Sequence, residues 1–291
     1  MVPQIKNGIL NIDKPQGITS HDVVDIVRKI FPGIKVGHTG TLDPIATGVL
    51  PICIGKATKL SDELLSENKV YKVKMLLGVE TDTYDITGKI VFANTLNEDE
   101  IYIKERIKRF IGKSSQIPPI YSAIKIKGKK AYEYARNGEN VSLKPREIEI
   151  FNIDDIDVNL RKRQVSFVVS CTKGTYIRSL VHDIGIKLGC GATMIELKRL
   201  KTGDFDINDS IDLYEFLNLE YLDMLDKIVS IEELYKDSKK INLNDKDYDK
   251  FLNGIAIKTD VPNGIVRVYE NLRYKGLGKV NDNLLKRFII E

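Results

Sequence analysis

Residues Gly37–Lys59 read GHTGTLDPIATGVLPICIGKATK, a run that sets one acid, Asp43, amid glycine, threonine and proline between two apolar stretches. Asp43 is the only carboxylate between Asp25 and Asp62. Pro44 biases the residue before it away from helical geometry, so Asp43 is expected in an extended or turn segment. Gly37, Gly40 and Gly48 permit positive φ or close approach of another backbone, and Thr39, Thr41 and Thr47 add hydroxyls. Two readings stand open on these residues alone. Asp43 caps a turn, as Asp-Pro often does, or it is a reactive carboxylate on a loop that a large ligand lies across.

Outward from this loop the pattern predicts strands and helices. Gly8–Asp13 reads as a short strand closed by the turn signal Lys14-Pro15-Gln16-Gly17. A helix follows, because Thr19 and Asp22 have capping-box spacing, Val23, Val27 and Ile30 share a face, and Pro32-Gly33 stops the pattern. Val70–Leu77 and Gln164–Cys171 alternate, with Tyr71, Val73 and Met75, then Val165, Phe167 and Val169, each on one face. Asn97 is expected to cap a helix that turns Ile103, Ile107, Phe110 and Ile111 inward. Another helix is expected over about Thr175–Leu188, with Ile177, Leu180, Val181 and Ile184 inward and Gly189 as terminator.

Strands and helices mix without strict βαβ order, so the expected class is α+β with a mixed or antiparallel sheet rather than a doubly wound one. Asp209–Tyr235 is acidic and helical in character, and Lys236–Lys240 reads as a linker. The remaining residues, with IAIK, IVRVYE, LRYKGLGKV and KRFIIE between Asn and Gly turns, read as a small β-rich module. The expected division is 1–238 and 239–291.

The chain has 291 residues, 42% of them hydrophobic, enough to bury a full core. No apolar run approaches the roughly 18 residues of a membrane span, and the first residues carry no secretory h-region, so a cytoplasmic location is expected. Cys53, Cys171 and Cys190 are odd in number and without CxxC spacing, hence expected to be buried and reduced. His21, His38 and His182 are isolated and do not form a zinc pattern.

The net charge of +4 is unevenly placed. From Lys239 onward there are 11 Lys and Arg against 7 Asp and Glu, whereas the first 238 residues carry 34 of each. Lys125–Arg146 holds seven basic residues and two acidic ones, while Asp204–Ser238 holds eleven acidic and two basic. Cations interleaved with Tyr132 and Tyr134 suit RNA, where phosphates meet charge and unstacked bases meet rings; a solvated helix face is the alternative. GVLPICIGKAT fails as a phosphate loop, since Leu50 stands where a glycine is required and Ala57 follows Lys56. There is no GxGxxG after a strand, no HExxH and no GxSxG, so chemistry without a metal or nucleotide cofactor is expected.

Six ordered blocks carry a resemblance: GILNIDKPQGITSHDVV, GHTGTLDPIATGVLPICIGKATK, KVYKVKMLLGVETDTYDITGKI, IPPIYSAIKIKGKKAYEYARNG, CTKGTYIRSLVHDIG and ELKRLKTGDF. Together they resemble the TruB family of bacterial tRNA pseudouridine-55 synthases. The resemblance implies a mixed-sheet catalytic domain followed by a small β-barrel, PUA-like RNA-binding module. It implies stand-alone isomerisation of uridine to pseudouridine at position 55 of the tRNA T-loop, with the base flipped out and no cofactor or metal.

The resemblance also assigns residues. Asp43 is the catalytic carboxylate and Arg178 the cation that keeps it ionised. Tyr71 stacks on the uracil, and its phenol is a candidate for moving the proton from the carbon that joins the sugar. Tyr176 and Leu200 complete the pocket walls, and His38 fills the space the flipped nucleotide leaves. Lys14 lies near the site, binding phosphate or bracing the loop. The implied partner is the T-arm of tRNA, with Lys125–Lys130 and the C-terminal module on the RNA backbone; no membrane partner is implied, and monomer is the default. Two other readings are an RNA-folding protein on the same scaffold and a synthase guided by a separate RNA.

Overall fold

The computed structural model describes residues 7–95, 98–122, 124–126, 128–137, 139 and 141–291. From the first residues come β1 (Gly8–Lys14), α1 (Ser20–Ile30), β2 (Val36–His38), β3 (Thr47–Ile54) and α2 (Ser61–Leu65). Next are β4 (Lys69–Leu77), β5 (Val79–Thr81), β6 (Ile90–Ala93), α3 (Glu100–Lys108), β7 (Gly112–Gln116), β8 (Lys125–Ile126), β9 (Lys129–Lys130) and α4 (Ala131–Arg136). The long strands β10 (Arg146–Asn159) and β11 (Gln164–Cys171), helix α5 (Ile177–Leu188) and strand β12 (Ala192–Thr202) follow. Short elements come after them: β13 (Phe205–Asp206), β14 (Ile211–Asp212), α6 (Leu213–Leu217), α7 (Tyr221–Asp226), β15 (Ile228–Ser230) and α8 (Ile231–Leu234). The last are β16 (Lys240–Leu243), α9 (Asp245–Leu252), β17 (Ile257–Lys258), β18 (Gly264–Glu270), β19 (Arg273–Asn281) and β20 (Leu284–Ile290).

These elements form two compact units. One comprises residues up to Asp43, Leu50–Leu65 and Asp209–Glu291; the other comprises Pro44–Val49 and Ser66–Asn208.

In the first unit, β1 pairs in parallel with β14 and antiparallel with β15. Ile9, Leu10 and Ile12 of β1 are all fully buried, which explains why GILNI reads as a solid apolar run rather than an alternation. Helix α1 starts at the expected capping box: Asp22 N donates to Thr19 Oγ1 while Thr19 N donates to Asp22 Oδ2 at 2.7 Å. The acidic stretch Asp209–Tyr235 is only partly helical, as three short helices with β14 before the first and β15 between the second and third. The C-terminal strands pair in the order β16-β18-β19-β20-β17, a curled half-barrel closed over Phe251, Val268, Val280 and Leu285. The linker expected at Lys236–Lys240 is tied down, since Arg267 donates to the carbonyls of Lys236 and Ser238.

In the second unit, β12-β4-β11-β10-β7 form an antiparallel run, and the first residues of β3 join β12 in parallel, with Lys198 opposite Thr47. The two alternating stretches become neighbours in full register, Tyr71 facing Val169 and Val73 facing Phe167. Their inward side chains are buried, as are Ile177, Leu180, Val181 and Ile184 of α5, which packs on β12. Gly189 ends α5 in the left-handed region at φ 72. The helix itself begins at Ile177, because Tyr176 holds an extended conformation as its N-cap.

One cap differs from expectation. Asn97 lies outside the described residues, and Asp99 caps α3 by accepting from Tyr102 N at 2.8 Å. Helix α3 ends at Lys108, so Ile111 is not on its apolar face and is 43% exposed. Cys53, Cys171 and Cys190 are buried free thiols. Among the described residues no helix is long and apolar enough to cross a membrane.

Candidate active site

Strands β2 and β3 make a hairpin in which His38 faces Ile52, and Thr39 N donates to the Pro51 carbonyl at 3.1 Å. The connection between them carries Asp43. Leu42 and Ile45 on either side are buried, which fixes the backbone, while Asp43 and His38 remain half-buried. Ser20, the first residue of α1, clasps this loop: its hydroxyl accepts from Leu42 N at 2.8 Å and donates to Leu42 O at 3.2 Å. A buried serine satisfying both backbone groups of the residue before Asp43 is a positioning device that sequence reading missed. Its only signal was a serine beside the helix cap.

Lys14 is fully buried at the end of β1. Its ammonium donates to the carbonyls of Pro15 and Ile18, both at 2.8 Å, so it braces the KPQGI turn from inside. Buried carbonyls need such donors.

In the second unit, β12 faces β4 with Arg199 opposite Tyr71 and Lys201 opposite Val70, which leaves Leu200 as the extra residue of a bulge. Tyr71 and Leu200 are thereby brought together. Bulges re-aim side chains beside functional sites. Arg199 is 1% exposed, donates Nε–H to Val49 O at 2.7 Å, and hydrogen-bonds the Tyr71 side chain. Burial pushes the guanidinium below its ordinary range, and the Tyr71 phenol pulls it back up. Lys69, two residues along the same face of β4, is 6% exposed and donates to the Glu67 carbonyl. Burial first, and the Arg199 charge second, push Lys69 down to about 8.

Tyr176 and Arg178 come together at the start of α5. Gln116 brackets Tyr176, accepting from its N–H at 2.8 Å and donating to its carbonyl at 3.1 Å. Ser179 Oγ donates to Ile117 O, and Arg178 Nη2 donates to Tyr121 O at 2.9 Å, so the segment from Gln116 to Tyr121 wraps this helix end. Arg178 Nη1 donates to Thr83 O at 3.2 Å and lies 3.7 Å from Asp85 Oδ2. Asp85 is held in turn by Thr83 Oγ1 and by the N–H and hydroxyl of Thr87. Sequence reading passed over Asp85. The TDTYDITG stretch could have revealed it, because an acid flanked by threonines at two-residue spacing is a self-bonded turn.

Thus Tyr71 meets Leu200, and Tyr176 stands with Arg178; all four belong to the second unit, whereas Lys14, His38 and Asp43 belong to the first. Among the described residues no group of three or more His, Cys, Asp or Glu side chains is arranged to hold a metal ion. The side chains present offer a half-buried carboxylate on a braced loop, a buried phenol with a cationic hydrogen-bond donor, and a guanidinium oriented by a fixed acid. They are suited to charge stabilisation and proton movement.

Residues 28–177 match the family described as TruB family pseudouridylate synthase (N terminal domain). Residues 178–235 match the tRNA pseudouridylate synthase B C-terminal domain, and 240–286 match Pseudouridine synthase II TruB, C-terminal. The chain is 44% identical to a tRNA pseudouridine synthase B from Clostridium kluyveri, covering 97% of this chain and 100% of the relative. It is 40% identical to the protein of that name from Aquifex aeolicus, covering 98% and 100%. A solved Cbf5–Nop10–Gar1 complex contains a chain 28% identical with a TM-score of 0.70, covering 98% of this chain and 84% of that one. With one profile spanning more than half of its residues and relatives at 40% identity or more along nearly all of it, the chain belongs to the TruB family of pseudouridylate synthases.

Proposed function

We propose that this protein isomerises uridine to pseudouridine at position 55 of the tRNA T-loop, acting alone and without a cofactor. The observation that carries this reading is the near full-length identity to enzymes named tRNA pseudouridine synthase B. The reaction breaks the C1′–N1 bond, forms C1′–C5, and moves one proton from C5 to N1, with no net redox change.

In this reading Asp43 is the reacting carboxylate, on a loop held by Ser20. A carboxylate in a closing pocket stays ionised only beside a cation, and Arg178 supplies it, its orientation set from behind by Asp85. Reaching a base inside the T-loop requires extrusion at a cost of a few kcal/mol, repaid by stacking. Tyr71 provides the ring, Leu200 and Tyr176 the walls, and His38 the replacement in the opened loop. Lys14 braces the turn beside the site. The cation–ring pairs Lys129–Tyr134 and Lys130–Tyr132 and the C-terminal half-barrel contact the RNA backbone of the T-arm. The protein works as a soluble cytoplasmic monomer, divided functionally into residues 1–238 and 239–291.

The test is to incubate purified protein with an unmodified tRNA transcript and with an isolated T-arm hairpin, then map pseudouridine. Modification of the one T-loop uridine in both supports the reading. Modification elsewhere, or none, overturns it.

A further inference from the structure

The proposed chemistry uses the Tyr71 ring and phenol but leaves unexplained two buried cations near it, Arg199 opposite it in the sheet and Lys69 two residues before it. Arg199 and Lys69 are 1% and 6% exposed, and Tyr71 is 8% exposed. The three lie on one face of neighbouring strands: Arg199 of β12 is opposite Tyr71 of β4, and Lys69 precedes Tyr71 by one inward position. Cys171 of β11 faces Lys69 across the sheet, with Glu67 and Lys173 as the further charges acting on that lysine. Two like charges buried side by side oppose each other and burial alike, a cost that cores avoid unless it serves a use. The Arg199 position is also rigid. Its Nε is bound to Val49 O, and Gly48 permits the approach of β3, since a Cβ there would stand 2.2 Å from Arg199 O.

We propose that Arg199 and Lys69 are positioning residues for the proton-transfer step: Arg199 donates to the Tyr71 oxygen, and together they stabilise that oxygen as a phenolate able to take the C5 proton. This rests on the uridine-isomerase reading above. In the step, once C1′–C5 has formed and C6 is double-bonded to N1, the C5–H bond breaks, its electron pair restores the C5=C6 double bond, the C6=N1 pair moves onto N1, and the proton passes to the Tyr71 oxygen. The resulting phenol returns a proton through solvent, and N1, made basic in this step, gains one. The balance closes without any co-reactant. Because Arg199 donates to the phenol oxygen, the phenol proton is directed away from it. An interaction that favours the guanidinium favours the phenolate equally, and the same pairing opposes burial at Arg199. Lys69 acts through space on the same oxygen.

The test is single-turnover release of tritium from a tRNA transcript made with 5-tritiated uridine, followed from pH 6 to 10. The variants are Lys69→Met and Arg199→Gln, with thermal unfolding recorded in parallel. Lys69→Met is expected to fold with a Tm no lower than the parent, because it removes a buried charge, and to move the alkaline-rising limb of release up by roughly one pH unit. At pH 7.5 that is about a tenfold slower release, recovered at higher pH. Arg199→Gln, where it folds, is expected to move the limb further. A limb unmoved in Lys69→Met, or a rate lowered equally at every pH, overturns the inference while leaving the isomerase reading intact. A parent that releases no tritium and forms no pseudouridine overturns both.

Discussion

The guanidinium of Arg178 lies 3.7 Å from the carboxylate of Asp85, with both side chains only 7% exposed. Asp85 also accepts from Thr83 and Thr87, so the acid is fixed before it orients the cation. Removing one partner of a buried pair strands the other charge, at a cost of about 3–5 kcal/mol. Asp85→Ala is therefore expected to lower the urea midpoint sharply and to abolish turnover. Asp85→Asn, which still accepts from the threonines, is expected to lose less stability. Equal stability of Asp85→Ala and the parent would remove this role.

Ser20 and Leu42 predict a separation of binding from chemistry. Ser20→Ala leaves the Leu42 N–H buried without its acceptor, worth about 1–3 kcal/mol. The loosened segment is the one bearing Asp43. We expect kcat on a tRNA transcript to fall by at least tenfold while KM changes little, and steady-state kinetics over a range of transcript concentrations measure both.

Lys69 makes stability depend on pH in a defined window. Its proton leaves near pH 8 in the folded protein, down from 10.5. Between these values the unfolded chain binds more protons than the folded one, so unfolding free energy rises with pH, by up to about 1.4 kcal/mol per pH unit. Below pH 8 the penalty is constant. Urea unfolding at pH 7, 8.5 and 9.5 is expected to show a parent gaining on Lys69→Met as pH rises, with the variant the more stable at pH 7.

Gly48 has φ +103, and a Cβ there would meet the Arg199 backbone at 2.2 Å. An alanine where positive φ is required is destabilising by more than about 1 kcal/mol. The contact adds to that, because backbone cannot yield as a side-chain tip does. Gly48→Ala is expected to lower Tm and to slow turnover together, through Arg199, whereas Gly17→Ala, with nothing within 4 Å of its added Cβ, is expected to lose stability through φ alone and to keep turnover.

The elements legible in the sequence were those whose signals are local. The Thr19–Asp22 box, the alternation through Tyr71 and Phe167, and the Gly189 stop depend on neighbours within a few residues, and each appears where expected. What stayed hidden depends on distant pairs. Ser20 and Leu42 are 22 residues apart, Gln116 and Tyr176 are 60 apart, and Arg199 and Val49 are 150 apart. No periodicity encodes such partners. The α3 cap was misplaced because Asp99, two residues after Asn97, is an equally good cap type; the structure uses Asp99. The residues assigned by resemblance were individually visible as motifs, and Asp85 as a turn acid, but the pairings of Asp85 with Arg178 and of Arg199 with Tyr71 were visible only in three dimensions.

The most direct test of the account is Asp43→Asn, which keeps shape and hydrogen bonding but removes the charge. Parent and variant are incubated with an unmodified tRNA transcript, pseudouridine is mapped, and binding is measured separately by filter retention. The expected result is pseudouridine at position 55 alone with the parent, and none with the variant despite near-parental affinity. Full conversion by Asp43→Asn would contradict it.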